Sequence, residues 1–218
     1  MRARFLIALL VAAFAAGSLL SASAAEPGPT APEPQPPGAP PQAAIPQPPK
    51  QLPRVGGDRT RNLDFLFGAL KAAPDEMTAK AVEERIWAVW VVSPSDTANL
   101  LMTRVRSAVE QQDTDLAIQL LDAIIKIKPD YVEAWNRRAT LYYMKKDYGH
   151  ALADIREVLK REPRHFGALS GLGLILQDIG DDKQALEVYR RALAVYPRLQ
   201  RIPDLVKSLS EKVEGRDI

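Results

Sequence analysis

The sequence contains no cysteine and only two histidines. The lack of cysteine excludes disulfides, thiolate chemistry and cysteine-based zinc sites. His150 and His165 are fifteen residues apart and show neither H-x-x-x-H nor H-E-x-x-H spacing, which argues against a zinc site built on histidine. We therefore expect no metal and no cofactor.

Motifs typical of enzymes are also missing. The sequence has no G-x-S-x-G nucleophile motif and no phosphate-binding loop. The short run Gly171-Leu172-Gly173 stands inside a helical pattern with no strand before it, so we interpret it as a packing feature. The sequence thus predicts a protein that is not an enzyme.

Net charge is small once the N-terminus is set aside. The chain has 29 Lys and Arg against 27 Asp and Glu, and residues 1–25 contain Arg2 and Arg4 but no acidic residue. The remaining chain therefore carries 27 residues of each sign. A balanced chain exerts no long-range attraction on nucleic acid or anionic lipid, so we expect no nucleic-acid partner.

Residues 1–25 have the three parts of a secretory signal peptide. A basic start precedes an uncharged apolar run from Phe5 to Leu20 and a group of small residues that ends at Ala25. The apolar run has 16 residues, fewer than the roughly 20 that a membrane-spanning helix needs. The pattern predicts cleavage after Ala24 or Ala25 and export to the periplasm. The alternative is an uncleaved segment that anchors the protein in the inner membrane.

Residues 26–57 form a proline-rich segment. Of the 18 prolines, 12 lie between Glu26 and Pro53. Proline lacks a backbone N–H and fixes φ, so the composition predicts a disordered, extended linker without helix or strand. We interpret this segment as a solvated linker, and the alternatives are a ligand for a proline-binding groove and a spacer that reaches toward the cell wall.

Residues 58–97 are predicted to form a divergent pair of helices. Apolar residues follow helical spacing in two runs that Pro74 separates, namely Leu63, Leu66, Phe67 and Leu70, then Val82, Ile86, Val89 and Trp90. We interpret this pair as a degenerate first repeat that caps the following stack. Trp87 and Trp90 are then expected to pack against the next repeat and not to form a ligand cage.

The stretch from Ala98 to Pro197 repeats itself every 34 residues. Four sets of residues recur at this interval: Pro129, Pro163 and Pro197; Ala117, Ala151 and Ala185; Leu101, Trp135 and Leu169; Leu121, Ile155 and Tyr189. We number positions 1–34 in three repeats, 98–131, 132–165 and 166–199. Small residues at positions 8 and 20 predict two closely packed helices in each repeat, and the proline at position 32 ends the second.

This pattern resembles the tetratricopeptide repeat (TPR), a helix–turn–helix unit of about 34 residues. Residues 135–142 and 163–169 are similar to segments of small exported bacterial TPR proteins. The resemblance implies an all-α fold, a right-handed superhelix of antiparallel helix pairs known as a TPR solenoid. Arg104 and Arg138 depart from the family pattern at position 7, where an apolar residue is usual. We expect their stems to cover the core while their charged heads reach water.

The resemblance also implies a binding site. In TPR proteins the first helix of each repeat lines a concave groove through positions 2, 5, 6, 9, 12 and 13. In this sequence those positions implicate Met102, Thr103 and Arg106 in the first repeat, Glu133, Asn136, Arg137, Thr140 and Tyr143 in the second, and Ser170, Leu174 and Gln177 in the third. The lysine that helps to clamp a C-terminal carboxylate in some chaperone-binding repeats is not matched at position 5 of the first repeat.

Residues 200–218 are predicted to contain a capping helix with one apolar and one polar face, and a partner-binding amphipathic helix is the alternative. Together these features favour a periplasmic scaffold that binds a protein or peptide in its groove, in envelope assembly, secretion or cell-wall upkeep. The second hypothesis is a structural protein that self-associates as a homo-oligomer and has no peptide ligand.

Overall fold

The structure, a computed structural model, describes residues 58–215, with side chains from residue 62 onward. In this part the chain forms only helices: α1 (Asp58–Ala72), α2 (Glu76–Val91), α3 (Asp96–Glu110), α4 (Thr114–Ile127), α5 (Val132–Met144), α6 (Tyr148–Arg161), α7 (Phe166–Asp178), α8 (Asp182–Val195) and α9 (Ile202–Val213). The predicted signal peptide (1–25) and proline-rich linker (26–57) lie outside the described residues. Within residues 58–215, every helix is too short or too polar to cross a membrane.

Each of the three repeats consists of two packed helices, α3–α4, α5–α6 and α7–α8, and the predicted all-α class is confirmed. The second helix of each repeat begins after an aspartate at position 16, namely Asp113, Asp147 or Asp181. Each aspartate side chain accepts a hydrogen bond from the backbone N–H three residues later, at 3.0 to 3.2 Å. These caps fix the start of the helix, because they satisfy an N–H that has no partner within it.

Close approach of the two helices explains the small residues at positions 8 and 20. Ala151 and its equivalents in the other repeats are fully buried. In the third repeat, position 8 is Gly173, and a Cβ atom there would overlap the ring of Tyr189. The large Tyr189 side chain therefore requires glycine opposite it.

Helices α1 and α2, called the hairpin below, do not occupy the place expected of a first repeat. Their apolar side chains share one core cluster with α7, α8 and α9, whereas α3 and α4 belong to a separate cluster. The prediction that this pair caps the stack ahead of the first repeat, with Trp87 and Trp90 packed on that repeat, is therefore wrong. The aromatic side chains of α2 find their large apolar partners at the start of the third repeat instead.

The hairpin contacts the turn after the second helix of each repeat. These turns are residues 128–131, 162–165 and 196–201. The Tyr131 hydroxyl donates a hydrogen bond to the carbonyl of Val91. Arg164 forms an ion pair with Asp64 at 2.6 Å, and Arg198 Nε donates to the carbonyl of Ala73 at 3.0 Å. The hairpin thus runs along the edge of the stack that these turns form.

Helix α9 packs against α8 at the other end of the stack. Ile202 and Leu209 are buried against the core, while Lys207, Ser208 and Glu211 are exposed. Arg190 of α8 holds the end of the helix through an ion pair with Glu214 at 2.7 Å. A polar outer face is what the terminal helix of a repeat stack needs for contact with water.

Candidate functional site

The predicted groove residues fall into two groups in the structure. Seven of the eleven candidates are buried: Met102, Glu133, Asn136, Arg137, Thr140, Ser170 and Leu174. Three remain partly exposed, namely Arg106, Tyr143 and Gln177, and Thr103 is exposed beside them. The groove is therefore filled by its own side chains near the start of α5 and α7 and is open toward the end of α3, α5 and α7.

A buried ion pair occupies the closed part. Arg137 Nε lies 2.8 Å from Oε1 of Glu133, one helical turn away, and both side chains are at most 3% exposed. Asn136 donates a hydrogen bond to Oε2 of Glu133 at 3.1 Å. These residues hold one another and form part of the core.

These neighbours stabilise the ionised form of the Glu133 carboxyl. Burial on its own would raise the pKa of the Glu133 carboxyl, but the charge of Arg137, the neighbouring His165 ring and a hydrogen bond from Asn136 outweigh it. The net result is a pKa below the ordinary value of 4.5. Glu133 is therefore ionised at neutral pH.

His165 links this polar cluster to the hairpin. Its Nδ1 accepts a hydrogen bond from the backbone N–H of Ala168 at 3.0 Å, which caps α7. Its Nε2 lies 3.7 Å from Oε2 of Glu133. Because Nδ1 acts as an acceptor, the neutral imidazole carries its proton on Nε2, facing the carboxylate. The face of the imidazole contacts Trp90 of the hairpin, whose indole is stacked on it with ring centroids 4.1 Å apart.

Trp87 covers the start of α7. A Cβ atom placed on Gly167 would lie 3.0 Å from Cη2 of Trp87, so the indole sits directly over position 2 of the third repeat. Glu83 anchors the same side of α2, where it accepts hydrogen bonds from Trp87 Nε1 at 3.2 Å and from the Tyr196 hydroxyl at 3.1 Å. Burial raises the pKa of Glu83, opposed by these two hydrogen bonds.

One feature of the sequence weakly indicates these contacts. Position 34 holds Tyr131, His165 and Leu199 in the three repeats, and all three are buried. A residue in a turn is expected to be exposed, so three large side chains at this position indicate that something covers the turns. Their partner lies far away in sequence, and a pattern of local spacing does not identify it.

The open part of the groove carries polar groups that a ligand can reach. Arg106 donates a hydrogen bond to the hydroxyl of Thr103 at 3.3 Å. Burial, reinforced by the nearby Asp178 carboxylate, raises the pKa of Tyr143 to about 12, so its hydroxyl is neutral at physiological pH. Gln177 accepts a hydrogen bond from the Tyr189 hydroxyl at 2.7 Å, which leaves its amide NH₂ as a donor.

On the opposite side of α5, Arg138 does not behave as predicted. Its guanidinium bridges Asp154 of α6 at 2.7 Å and Asp122 of α4 at 2.5 Å. The hydrogen bonds that Arg138 donates to these two carboxylates raise its pKa. The head does not extend freely into water as expected: it pairs with the buried Asp154, which needs a charged partner, and with Asp122 at the surface. Arg104 is exposed, as expected.

A cleft of about 510 Å³ lies between the hairpin and the first two turns. Trp90 and Val132 contribute apolar surface, and Lys128, Arg161 and Arg164 line it with positive charge. Each of these three cations already has a carboxylate within 3.0 Å, supplied by Asp130, Glu157 and Glu162 respectively. The lining thus offers apolar surface and neutralised charge. Within residues 58–215 we find no group of three or more metal-ligating side chains placed around one point.

Two family models described as tetratricopeptide repeat match the chain. They cover residues 132–165 and residues 167–198. These ranges coincide with the second and third repeats that the 34-residue period defines.

Curated proteins with similar sequences include a bacterial and a mammalian protein. The chain is 41% identical over 155 residues to a TPR repeat-containing protein of Rhizobium etli. This alignment covers 71% of this chain and 76% of the Rhizobium protein. The chain is 25% identical over 159 residues to DnaJ homolog subfamily C member 3 of Mus musculus, of which it spans 25%. The alignment with the Rhizobium protein thus extends well beyond a single repeat.

Solved structures with a similar fold include the first TPR of Spaghetti (RPAP3) bound to the HSP90 peptide SRMEEVD. The TM-score is 0.52 at 19% identity, over 55% of this chain and 95% of that one. The Sgt2 TPR domain from Aspergillus fumigatus gives a TM-score of 0.51 at 22% identity, over 56% of this chain and 82% of that one. At these identities the likeness concerns the superhelical fold. Because of the close Rhizobium relative and the two matched repeats, we conclude that the chain belongs to the tetratricopeptide repeat family.

Proposed function

We propose that this protein is an exported, periplasmic scaffold that binds a partner protein or an extended peptide. The proposed site is the open groove, which we define as Thr103, Arg106, Tyr143 and Gln177. The observation that carries the proposal is that these four side chains stay accessible on α3, α5 and α7, whereas the other seven candidate groove residues are buried. TPR proteins act as scaffolds for protein–protein interaction, and the related RPAP3 fold is described with a bound peptide.

The chemistry of the open groove suits a peptide. Arg106 supplies a cation that can contact a carboxylate through two N–H groups. Tyr143 and Gln177 supply neutral donors and acceptors for a peptide backbone. Position 5 of the first repeat is the buried Met102, so a lysine-based carboxylate clamp is not part of this site.

Photocrosslinking tests the proposed site. A benzoylphenylalanine residue placed at Tyr143 in living cells should form a crosslink to one partner, and the substitution Arg106→Ala should weaken that crosslink. The matched control is the same photoreactive residue at Arg156, which is exposed on α6 away from the groove. An identical crosslinking pattern at both positions would exclude the open groove as the binding site.

Export is supported by the pattern of residues 1–25, and fractionation of the cell tests it. We expect the protein in the periplasmic fraction with a mature N-terminus at Ala25 or Glu26. Retention of Met1 with the inner-membrane fraction would establish the anchored alternative. Roles in envelope assembly, secretion or cell-wall upkeep follow from the partner that the crosslink identifies.

A further inference from the structure

The first repeat exposes an apolar stripe on α4. Leu116, Leu120, Ala123 and Ile127 are spaced by four, three and four residues, so they lie on one face of the helix. Leu116 and Ile127 are 43% and 48% exposed, and Leu100 of the neighbouring α3 is 59% exposed. We call these five residues the end patch.

The end patch, in which Leu120 is partly buried against the core of its own repeat, is left uncovered because of where the hairpin packs. In the second repeat the position of Leu120 is taken by Asp154, which is buried against Arg138. In the third repeat it is Val188, which belongs to the core that includes the hairpin. The first repeat has neither cover, because α1 and α2 lie with the third repeat. Helix α9 closes the opposite end of the stack, so the two ends differ.

Charge along α4 indicates what covers the end patch. Asp115 is in its first turn, where it also pairs with Lys145 at the surface, and Lys126 is in its last turn. A second α4 in antiparallel orientation places Leu116 opposite Ile127 and Leu120 opposite Ala123. The same arrangement brings the acidic start of each helix beside the basic end of the other. The face is therefore complementary to itself in both shape and charge.

We propose that two copies of this protein form a two-fold symmetric dimer through antiparallel contact of their α4 helices. Such a dimer is isologous, which means that one patch on each copy serves both sides of the interface. Helix α4 is the second helix of its repeat, whereas the open groove is on first helices, so both grooves stay accessible. This proposal is independent of the proposed function.

Analytical ultracentrifugation of the protein in the form that its host accumulates tests the dimer. We expect a reversible monomer–dimer equilibrium, and Leu120→Lys or Leu116→Lys should raise the dissociation constant at least tenfold. The control is Ile179→Lys, which changes an aliphatic side chain that is 53% exposed outside the patch and should leave the equilibrium unchanged. Circular dichroism verifies the fold of each variant, and Leu116 is exposed enough to be replaced without loss of core packing. A monomeric wild-type protein, or equal dissociation constants for all variants, would overturn the proposal.

Charge reversal tests the antiparallel geometry. Asp115→Lys and Lys126→Glu should each weaken the homodimer, because each places like charges together at both ends. An equimolar mixture of the two variants should recover association, since Lys at 115 of one copy then meets Glu at 126 of the other. Failure of the mixture to associate better than either variant would exclude this orientation.

Discussion

The indole of Trp90 lies parallel to the imidazole of His165, with an angle of 11° between the two rings. Trp90 belongs to the hairpin and His165 to the turn before the third repeat. The stack therefore helps to join the hairpin to the third repeat. Nε2 at the edge of the imidazole lies 3.7 Å from the carboxylate of the buried Glu133, so the contact continues into the second repeat.

Replacement of Trp90 by alanine should destabilise the fold strongly. The side chain is 4% exposed and contacts Phe67, Trp87, His165 and Phe166. Large aromatic-to-alanine changes in a core cost about 3–5 kcal/mol, and urea denaturation followed by circular dichroism measures the loss. Phe65→Ala in the same hairpin is the control, because Phe65 is 73% exposed. Equal, small losses for both variants would mean that the hairpin is not docked as described.

Glu133→Gln should reduce stability at neutral pH by about 3–5 kcal/mol, because it leaves Arg137 charged and buried without its carboxylate. The same chemical change at Glu157, whose ion pair with Arg161 is at the surface, should have little effect. Comparison of the two variants by urea denaturation at pH 7 checks this. A smaller loss for Glu133→Gln than for Glu157→Gln would contradict it.

Stability should also depend on pH through Glu133. Its pKa is lower in the folded state than the ordinary 4.5, so its ionised form stabilises the fold above that pH. This contribution is lost as the pH falls below 4.5 through the folded pKa. The free energy of unfolding of the wild type should thus converge toward that of Glu133→Gln in acid. A constant difference between them from pH 7 to pH 3 would refute this assignment.

Gly173→Ala should cost about 1–3 kcal/mol, because the added methyl group overpacks the contact with the Tyr189 ring. The matched control is Gly68→Ala in α1, where a Cβ meets no atom within 4 Å. That variant should gain about 0.5–1 kcal/mol, since alanine favours the helix over glycine. Thermal unfolding measures both, and the prediction requires changes of opposite sign.

Arg138→Ala should destabilise the stack by about 1–3 kcal/mol, because the buried Asp154 carboxylate loses its partner. Arg104 occupies the same repeat position and is exposed, so Arg104→Ala should change stability by less than about 0.5 kcal/mol. A urea titration of both variants tests the contrast. Equal effects would show that the bridge from Arg138 to Asp122 and Asp154 adds nothing.

The repeats could be predicted from the sequence because their contacts are local. Ala117, Ala151 and Ala185 recur where each helix packs on its neighbour, and the period alone sets their register. The hairpin could not be placed, since Trp87 and Trp90 only indicate a buried side and do not identify what covers it. The groove could be predicted only in part. The repeat positions correctly locate Arg137 and Tyr143 on one face, but they do not show that Arg137 is buried in an ion pair with Glu133.

The hairpin changes how the whole stack unfolds. In an ordinary solenoid each repeat contacts only its neighbours, so repeats can fray one at a time from an end. Here Arg164 pairs with Asp64, and Arg198 bonds to Ala73, across 100 and 125 residues of chain. The length of the hairpin therefore matches a fixed number of turns between repeats. Insertion or loss of a repeat would move these turns away from their contacts on the hairpin. Such a change would therefore reduce stability more here than in a solenoid that has no such hairpin.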